Sequence, residues 1–153
     1  MLAAGDKAPA FSLSDLQGTP HNLADLLPNG PALVVLYKVS CPVCQLTLPY
    51  LERISRGGLQ LVAISQDDAS ATQRFMSAFG LTMLTLLDTQ RSGYPVSNAF
   101  GIDHVPSLFL VEPDGVISLA GSGFRKTELE SLAERAGSPI FRPNEDVPAW
   151  KAG

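Results

Sequence analysis

The chain has 153 residues with a formal net charge of -4 at pH 7, and 45% of its residues are hydrophobic. This length and apolar content indicate one globular domain that buries a real core, and the lack of a basic patch argues against nucleic acid as a partner. The longest apolar run is too short to span a bilayer, so we expect no membrane segment.

The first seven residues are relevant to the cellular compartment of the protein. They contain no basic region followed by an apolar stretch, so no signal peptide is visible. If Met1 is the native start, we expect a cytoplasmic protein; if a leader was removed, a periplasmic or other extracytoplasmic location is the alternative. A catalytic cysteine pair occurs in both kinds of compartment, so the cysteine count does not decide between them.

The N-terminal region is predicted to form a β-hairpin. Residues 8–13 alternate between apolar and polar side chains, residues 17–20 have turn composition, and residues 21–23 are a possible second strand. A short helical turn over residues 24–27 follows and is ended by residues 28–30. The first long apolar run begins directly after this turn.

A buried strand and an amphipathic helix come next. Residues 31–39 are a short apolar, β-rich run that predicts a buried strand. Residues 45–56 have helical spacing, with Leu46, Tyr50 and Ile54 recurring every four residues. The only two cysteines of the chain lie where the strand gives way to the helix.

These cysteines have a placement that favours redox chemistry. Cys41 lies at the junction and Cys44 one turn into the helix. The first turn of a helix has free N–H groups and a partial positive charge, so we expect the pKa of Cys41 to be lowered and its thiolate to be a good nucleophile. Three positions apart, the two sulfurs can close a disulfide, with Cys41 as the exposed attacker and Cys44 as the resolving thiol.

The residues between the cysteines determine which amides are available there. Pro42 fits the first helical position but carries no N–H. We therefore expect the amides of Val43 and Cys44 to stabilise the Cys41 sulfur, and we expect Pro42 to limit how far the pKa of Cys41 falls. The alternatives for the pair are a structural disulfide, a chance pair or half of a metal site.

Strands and helices alternate again in the following segments. Residues 59–65 predict a strand, and the polar residues 66–70 offer caps for a helix over residues 71–79. Residues 81–87 predict an extended segment and residues 94–100 a short helix. Three apolar residues of the 71–79 helix are expected to face inward: Phe75, Met76 and Phe79.

A hairpin and a helix close the predicted domain. Residues 107–111 and 116–120 predict two strands joined by a turn over residues 112–115. Residues 126–136 predict a final helix. The alternation of strands and helices ahead of the hairpin favours an α/β fold with helices on both faces of one sheet.

The composition changes after this helix, so we divide the chain into a domain over residues 1–137 and a tail over residues 138–153. Prolines at three tail positions break any regular element. Phe141 and Trp150 either dock the tail on the body or on a partner, or belong to a loosely held end. The loosely held end is the favoured interpretation.

Four stretches of the chain carry a resemblance to a known family: Gly5–Leu13, Cys41–Cys44 with Pro49, Val62–Asp67 through Leu86–Asp88, and Val105–Ser107 followed by Glu112–Gly115. They resemble the redoxin group of thioredoxin-fold proteins over residues 5–136. This group includes the thiol–disulfide oxidoreductases of cytochrome-c maturation and the peroxiredoxin-like AhpC/TSA group. The Cys-Pro-Val-Cys order is similar to that of the accessory thioredoxin of methylamine utilisation.

The resemblance implies a thioredoxin-like fold, with a central mixed sheet, helices on both faces, an N-terminal β-hairpin extension and one inserted strand–helix unit. It also implies a thiol–disulfide oxidoreductase with no cofactor, catalytic Cys41 and Cys44, and a protein disulfide or dithiol as partner. The Val105–Pro106 bond is expected to be cis and to leave the Val105 backbone free to pair with a bound chain. Partner contact is expected at four residues: Pro42, Val43, Val105 and Pro106.

The chain departs from this family at four positions around the cysteines. Ser40 stands where Trp often precedes the first Cys, and Val43 stands where Pro precedes the second. Thr47 replaces the acidic residue of cytochrome-maturation members, and Val35 replaces the buried Asp of thioredoxins. Either a water or another residue therefore assists proton transfer at the second thiol, or the resolving step is slow.

A thiol-dependent peroxidase is one alternative function. Peroxiredoxins have Thr or Ser three residues before the peroxidatic Cys and Pro four residues before that. Relative to Cys41 those places hold Lys38 and Val34, and relative to Cys44 they hold Cys41 and Tyr37. The pattern therefore argues against a peroxidase.

A non-enzymatic copper or zinc protein is the other alternative, with Cys41 and Cys44 joined by His21 or His104 as ligands. His104 could instead shuttle protons near the cysteines, or be a solvated loop residue. Lys38 either favours thiolate at the site or is a solvated lysine at the strand end.

Overall fold

A five-stranded mixed sheet lies at the centre of the structure, a computed structural model that describes residues 1–153. Its strands are β3 (Ala32–Tyr37), β4 (Gln60–Ser65), β5 (Leu84–Leu87), β6 (Ser107–Val111) and β7 (Ile117–Ser122). Two small sheets pair β1 (Ser12–Ser14) with β2 (Pro20–Asn22), and β8 (Phe124–Arg125) with β9 (Trp150–Lys151). The helices are α1 (Leu23–Leu26), α2 (Pro42–Ile54), α3 (Ala69–Phe79), α4 (Pro95–Phe100) and α5 (Lys126–Ala136). None of them is both long enough and apolar enough to cross a membrane.

The strand order confirms the predicted α/β fold. It is β5-β4-β3-β6-β7, with β3, β4 and β5 parallel and with β6 and β7 antiparallel to their neighbours. The parallel strands are connected through α2 and α3, which are the crossover helices that the alternating sequence predicts. All six residues of β3 are buried because both faces of this central strand are covered.

Two apolar layers cover the sheet. On one face, Leu33, Val35 and Tyr37 of β3 pack with apolar side chains of α2, α3 and α5. On the other face, Val34 and Leu36 pack with the N-terminal hairpin, α1 and α4. This alternation follows from the two-residue period of a strand. The helix that carries the cysteine pair is anchored in the first layer.

The predicted N-terminal hairpin is present as β1 and β2. Leu13 in the middle of β1 is buried and pairs with His21 of β2. The ring of His21 forms a 2.8 Å hydrogen bond with the carboxylate of Asp15, and this bond lowers the pKa of Asp15. His21 is therefore held within the hairpin.

The helix α3 begins earlier than predicted and exposes one of its apolar residues. Asp68 caps it by accepting a 2.8 Å hydrogen bond from the N–H of Ala71. Gly80, with φ of 66°, ends it in the left-handed conformation. Phe79 is 39% exposed, so the prediction that it faces inward is wrong. As the last residue of the helix, it packs its ring on Phe75 at the surface instead, with the centroids 4.7 Å apart.

The tail over residues 138–153 is docked on the body, so the favoured interpretation as a loosely held end is wrong. Ile140 is buried in the first apolar layer, and Phe141 packs against the same layer. Arg53 of α2 forms an ion pair with Glu145, with 2.6 Å between Nη1 and Oε1. Apolar packing and a charged hydrogen bond thus hold a segment that has no periodic pattern of its own.

The end of the tail forms a strand. Trp150 and Lys151 pair antiparallel with Arg125 and Phe124. The N–H of Lys126 donates a 3.0 Å hydrogen bond to the carbonyl of Ala149, which extends the pairing by one residue. This pairing carries the tail to the end of the molecule that holds the cysteines.

Candidate active site

Cys41 caps the N-terminus of α2 with its own sulfur. Its backbone is extended, with φ of -82° and ψ of 118°, and its Sγ accepts a 3.3 Å hydrogen bond from the N–H of Cys44. Pro42 follows as the first helical residue and has no N–H to donate. The sulfur therefore receives one of the two predicted amide hydrogen bonds, that of Cys44 and not that of Val43. The Cys41 sulfur therefore lies at the positive end of the α2 dipole, with one amide N–H directed at it.

The two thiols differ in their exposure. Cys41 is half-buried, Cys44 is fully buried, and both are free. Burial raises the pKa of Cys44 well above its ordinary value, and the nearby Cys41 and Asp67 add to the shift. Cys44 is therefore a neutral thiol near pH 7. One accessible sulfur with a buried thiol behind it is the arrangement that an attacking and a resolving cysteine require.

The loop before β6 lies next to this pair. Its Val105–Pro106 peptide bond is cis, as predicted. The carbonyl oxygen of Val105 lies 3.5 Å from the Sγ of Cys41. Pro106 is buried, and its carbonyl accepts a 2.9 Å hydrogen bond from the N–H of Gly123. The structure thus brings together Cys41, Val105 and Pro106, which are distant in sequence.

The remaining predicted site residues lie around this centre. Pro42 is exposed and Val43 half-buried at the start of α2. The side chains of Lys38 and His104 make no hydrogen bond with either cysteine. Both line a cavity beside the loop, together with Gln66, Ile102, Asp103 and Val105.

Tyr37 belongs to the core and does not line the groove. It is fully buried, and its ring packs on Phe75 with the centroids 5.4 Å apart. Its hydroxyl has no hydrogen-bond partner. Burial raises the pKa of Tyr37, so the phenol is neutral beside the Cys44 thiol.

Three hydrogen bonds hold the segment between β3 and Cys41. The carboxylate of Asp67 accepts a 2.8 Å hydrogen bond from the N–H of Val39. The Val39 carbonyl accepts a 2.9 Å bond from Nε2 of Gln45, and the Lys38 carbonyl accepts a 3.3 Å bond from the N–H of Cys41. Sequence reasoning identified the polar stretch around Asp67 as a source of helix caps and as part of the family resemblance. It missed the contact with Val39, because the two residues are distant in sequence.

The tail reaches the same site. Gly153 lies so close to Val105 that a Cβ on Gly153 would be 2.5 Å from the Val105 carbonyl oxygen. A Cβ on Gly123 would be 2.4 Å from the carbonyl oxygen of Lys151. Both close approaches require glycine. Sequence reasoning missed this contact because no local pattern marks it.

The ligands of the metal alternative are not assembled. No group of three or more His, Cys, Asp or Glu side chains is arranged to hold a metal ion. His21 is hydrogen-bonded to Asp15 in the hairpin, and His104 is exposed on its loop. The cysteine pair therefore has no third ligand in this arrangement.

Comparisons with known proteins give three findings of similarity. The chain is 29% identical over 141 residues to thiol-disulfide oxidoreductase ResA of Geobacillus thermodenitrificans. The aligned region covers 86% of this chain and 79% of the relative. It is 29% identical over 132 residues to the methylamine utilization protein MauD of Paracoccus denitrificans, covering 85% of this chain and 64% of the relative. The thioredoxin domain of a thiol-disulfide oxidoreductase from Bacteroides vulgatus superposes with a TM-score of 0.77, at 24% identity, over 88% of this chain and 98% of that domain.

The structural similarity confirms the thioredoxin-like fold that the sequence predicts. A sequence model of the AhpC/TSA family matches residues 4–120, which include both cysteines and the cis-proline loop. This match extends over most of the central sheet, from the N-terminal hairpin to β7. The chain therefore belongs to the AhpC/TSA family.

Proposed function

We propose that the chain is a thiol–disulfide oxidoreductase that uses Cys41 and Cys44 to reduce or exchange disulfides in a partner protein. One observation carries the proposal: the half-buried Cys41 sulfur has the Cys44 amide on one side and the Val105 carbonyl on the other. A disulfide relay needs such an accessible sulfur with a second thiol close behind it. The name of the ResA relative supports the same activity.

The reduction of a partner disulfide takes two exchanges. The Cys41 thiolate attacks one partner sulfur, a Cys41–partner disulfide forms, and the other partner sulfur leaves as a thiolate. Cys44 then loses its proton and attacks the Cys41 sulfur, which forms the Cys41–Cys44 disulfide and releases the second partner thiolate. The two electrons come from the two cysteines, and a dithiol must later supply two electrons to regenerate the pair.

The partner binds as an extended segment over the cis-proline loop. The Val105 backbone faces the Cys41 sulfur, so a strand that pairs with Val105 brings its disulfide to the nucleophile. The exposed Pro42 and half-buried Val43 border the same sulfur and contact the segment from the helix side. Backbone pairing of this kind accepts many sequences, so shape and access select the partner.

An equilibrium redox titration tests the proposal, with the thiols trapped and counted by mass. We expect one reversible two-electron couple in the wild-type chain. A potential near about -270 mV indicates a reductant, and one near about -120 mV an oxidant. The variants C41S and C44S are the matched controls and should form no intramolecular couple. A wild-type chain that forms none either overturns the proposal.

The same samples distinguish the proposed oxidoreductase from the two alternatives, a peroxidase and a metal-binding protein. A peroxidase consumes peroxide in the presence of a thiol reductant, at a rate that depends on Cys41. A metal protein retains copper or zinc in its reduced form after desalting. We expect neither result, because the residues before Cys41 do not have the peroxiredoxin pattern and no group of three metal-ligating side chains is assembled around the pair.

A further inference from the structure

The tail has two parts that are held to the body in different ways. Residues 140–147 place apolar side chains in the first apolar layer, and Glu145 among them forms the ion pair with Arg53. Residues 149–153, which we call the end segment, are all exposed, and Trp150 is 58% exposed. The first part is therefore an anchor, whereas the end segment buries little apolar surface.

Backbone pairing with the short strand β8 holds the end segment. This pairing covers the two residues of each strand, and the 3.0 Å hydrogen bond from the N–H of Lys126 to the carbonyl of Ala149 extends it. Segments with few buried apolar contacts and solvent-exposed backbone hydrogen bonds open at a low cost in free energy. The end segment can therefore leave β8 while the anchor stays in place.

The end segment runs from β8 to the cis-proline loop. Gly123, directly before β8, donates its N–H to the carbonyl of Pro106 at 2.9 Å, which joins β8 to that loop. The carbonyl of Lys151 comes so close to Gly123 that a Cβ on this glycine would overlap with it. Gly153 then reaches Val105, where a Cβ on Gly153 would be 2.5 Å from the carbonyl oxygen. The contact is one of backbone against backbone.

The end segment and the nucleophile approach the same atom, the carbonyl oxygen of Val105. This oxygen lies 3.5 Å from the Sγ of Cys41, and Gly153 packs against it as well. No hydrogen bond joins the end segment to Cys41, whose sulfur stays half-buried. A partner backbone that pairs with Val105 needs the space that Gly153 fills, whereas a small reagent needs only the sulfur.

We infer that the end segment is an internal competitor for the partner. It occupies the edge of β8 and the Val105 backbone in the resting chain and leaves them when an extended partner segment binds. One β-strand then replaces another, so the partner regains the backbone hydrogen bonds that the end segment gives up. The docked fraction of the end segment lowers the apparent affinity for each partner by the same factor. This inference rests on the proposed function.

Deuterium exchange of a trapped complex tests the inference. The probe is a synthetic peptide that repeats residues 147–153 and ends in a cysteine activated as its thionitrobenzoate disulfide. Cys41 of C44S attacks the peptide sulfur, a Cys41–peptide disulfide forms and thionitrobenzoate leaves. The disulfide then tethers the peptide beside the groove at a high effective concentration.

The expected change follows from two equal segments that share one site. If the end segment is docked about nine-tenths of the time in the free chain, its open fraction rises from about one-tenth to about one-half, so its amides should exchange about fivefold faster. The amides of the anchor should be unchanged. The control is C44S with only a methylthio group on Cys41, which should exchange like the free chain. Equal exchange in the two adducts overturns the inference.

A single substitution gives an independent measurement. G153V places a side chain against the Val105 carbonyl and should unseat the end segment, whereas A152V adds the same side chain to its exposed neighbour. In the C44S background, G153V should capture the activated peptide up to about tenfold faster than C44S alone, and A152V should match C44S. The reaction with Ellman's reagent, which needs only the sulfur, should be equal in all three. Equal peptide capture by G153V and A152V contradicts the inference.

The failure of the proposed function has a different signature. With Ellman's reagent, the reduced wild-type chain releases two thionitrobenzoates if Cys44 resolves the first mixed disulfide, and one, as C44S should, if it does not. One equivalent overturns the oxidoreductase proposal and this inference with it. Two equivalents, together with equal exchange in the two adducts, leave the oxidoreductase intact and overturn the role of the end segment alone.

Discussion

The carbonyl oxygen of Val105 lies 3.5 Å from the sulfur of Cys41. The nucleophile and the backbone proposed to bind the partner are therefore adjacent before a partner arrives. A segment that pairs with Val105 reaches Cys41 without any rearrangement of α2, and reactions between groups already held in place avoid much of the entropic cost of encounter. A change that displaces Val105 should accordingly alter the reactivity of Cys41.

Replacing the resolving cysteine should trap the partner. In C44S the first exchange proceeds, because Cys41 and its contact with Val105 are unchanged, but the chain has no second thiol to resolve the mixed disulfide. Alkylation of the released peptide thiolate prevents the reverse exchange. We expect nearly one equivalent of a disulfide peptide to remain bound, measured by mass under non-reducing conditions. C41S should bind none. Equal trapping by C41S and C44S would show that the roles of the two cysteines are not those assigned here.

The buried thiol should resist alkylation. Burial raises the pKa of Cys44 and closes it to solvent, so thiolate at this residue is scarce even in mildly alkaline buffer. With excess iodoacetamide at about pH 8.5, the ordinary pKa of a free cysteine, we expect one label on the folded wild-type chain and none on C41S. Urea should expose Cys44 in both, which gives two labels on wild type and one on C41S. Rapid labelling of folded C41S would contradict the burial.

Removal of the tail strand should open the proposed partner site. Gly153 lies against the Val105 carbonyl, so a partner segment must displace the tail. A variant ending at Pro148 should show a lower KM for a disulfide peptide, about tenfold lower if the tail is docked nine-tenths of the time, since apparent affinity scales with the competent fraction. K151A keeps the strand backbone and should behave as wild type. An unchanged KM would mean that the tail does not compete.

The ion pair between Arg53 and Glu145 should contribute pH-dependent stability. The Arg53 hydrogen bond lowers the pKa of Glu145 to about 2 in the folded chain, from 4.5. Because the folded value is depressed, the contribution is complete above about pH 4.5 and is lost as the pH falls toward 2. Urea unfolding should show E145Q to be less stable than wild type at neutral pH, with a difference that falls close to zero as the pH is lowered to about 2. The same difference at both pH values would exclude the ion pair as its source.

The hydroxyl of Tyr37 should be dispensable for stability. It is buried without a hydrogen-bond partner, and a buried unsatisfied polar group costs about 1–3 kcal/mol. Y37F should therefore raise the free energy of unfolding by about 1 kcal/mol. Denaturant unfolding measures this change. A loss of stability in Y37F would instead reveal a partner for the hydroxyl.

Local patterns in the sequence predicted most of the fold and the centre of the site. The strand at Ser107–Val111 and the helix at Lys126–Ala136 have the predicted bounds. The strand-to-helix junction at Cys41 and the cis bond at Pro106 were also predicted. The strand, the helix and the junction rest on periodicity, turn composition and a short motif, which are visible within about ten residues. The cis bond was expected from the resemblance to the redoxin group.

The features that sequence reasoning did not identify depend on contacts between distant residues. The contacts of Asp67 with Val39 and of Glu145 with Arg53 join residues that are far apart in the sequence. No periodic signal marks either pair. The prolines of the tail favoured a loosely held end, whereas packing against the core layer holds the tail in place. The division between residues 137 and 138, the assignment of the site residues and the cytoplasmic location, with its extracytoplasmic alternative, stay predictions.

The docked tail also provides the chain with an optical probe. Trp150 is the only tryptophan of the sequence. It lies on β9, where it pairs with Arg125, and it lines a cavity together with His104. Its intrinsic fluorescence comes from one place in the molecule, a few residues from Gly153. The emission of unlabelled protein can therefore follow, in real time, whether the strand is seated when a disulfide peptide arrives.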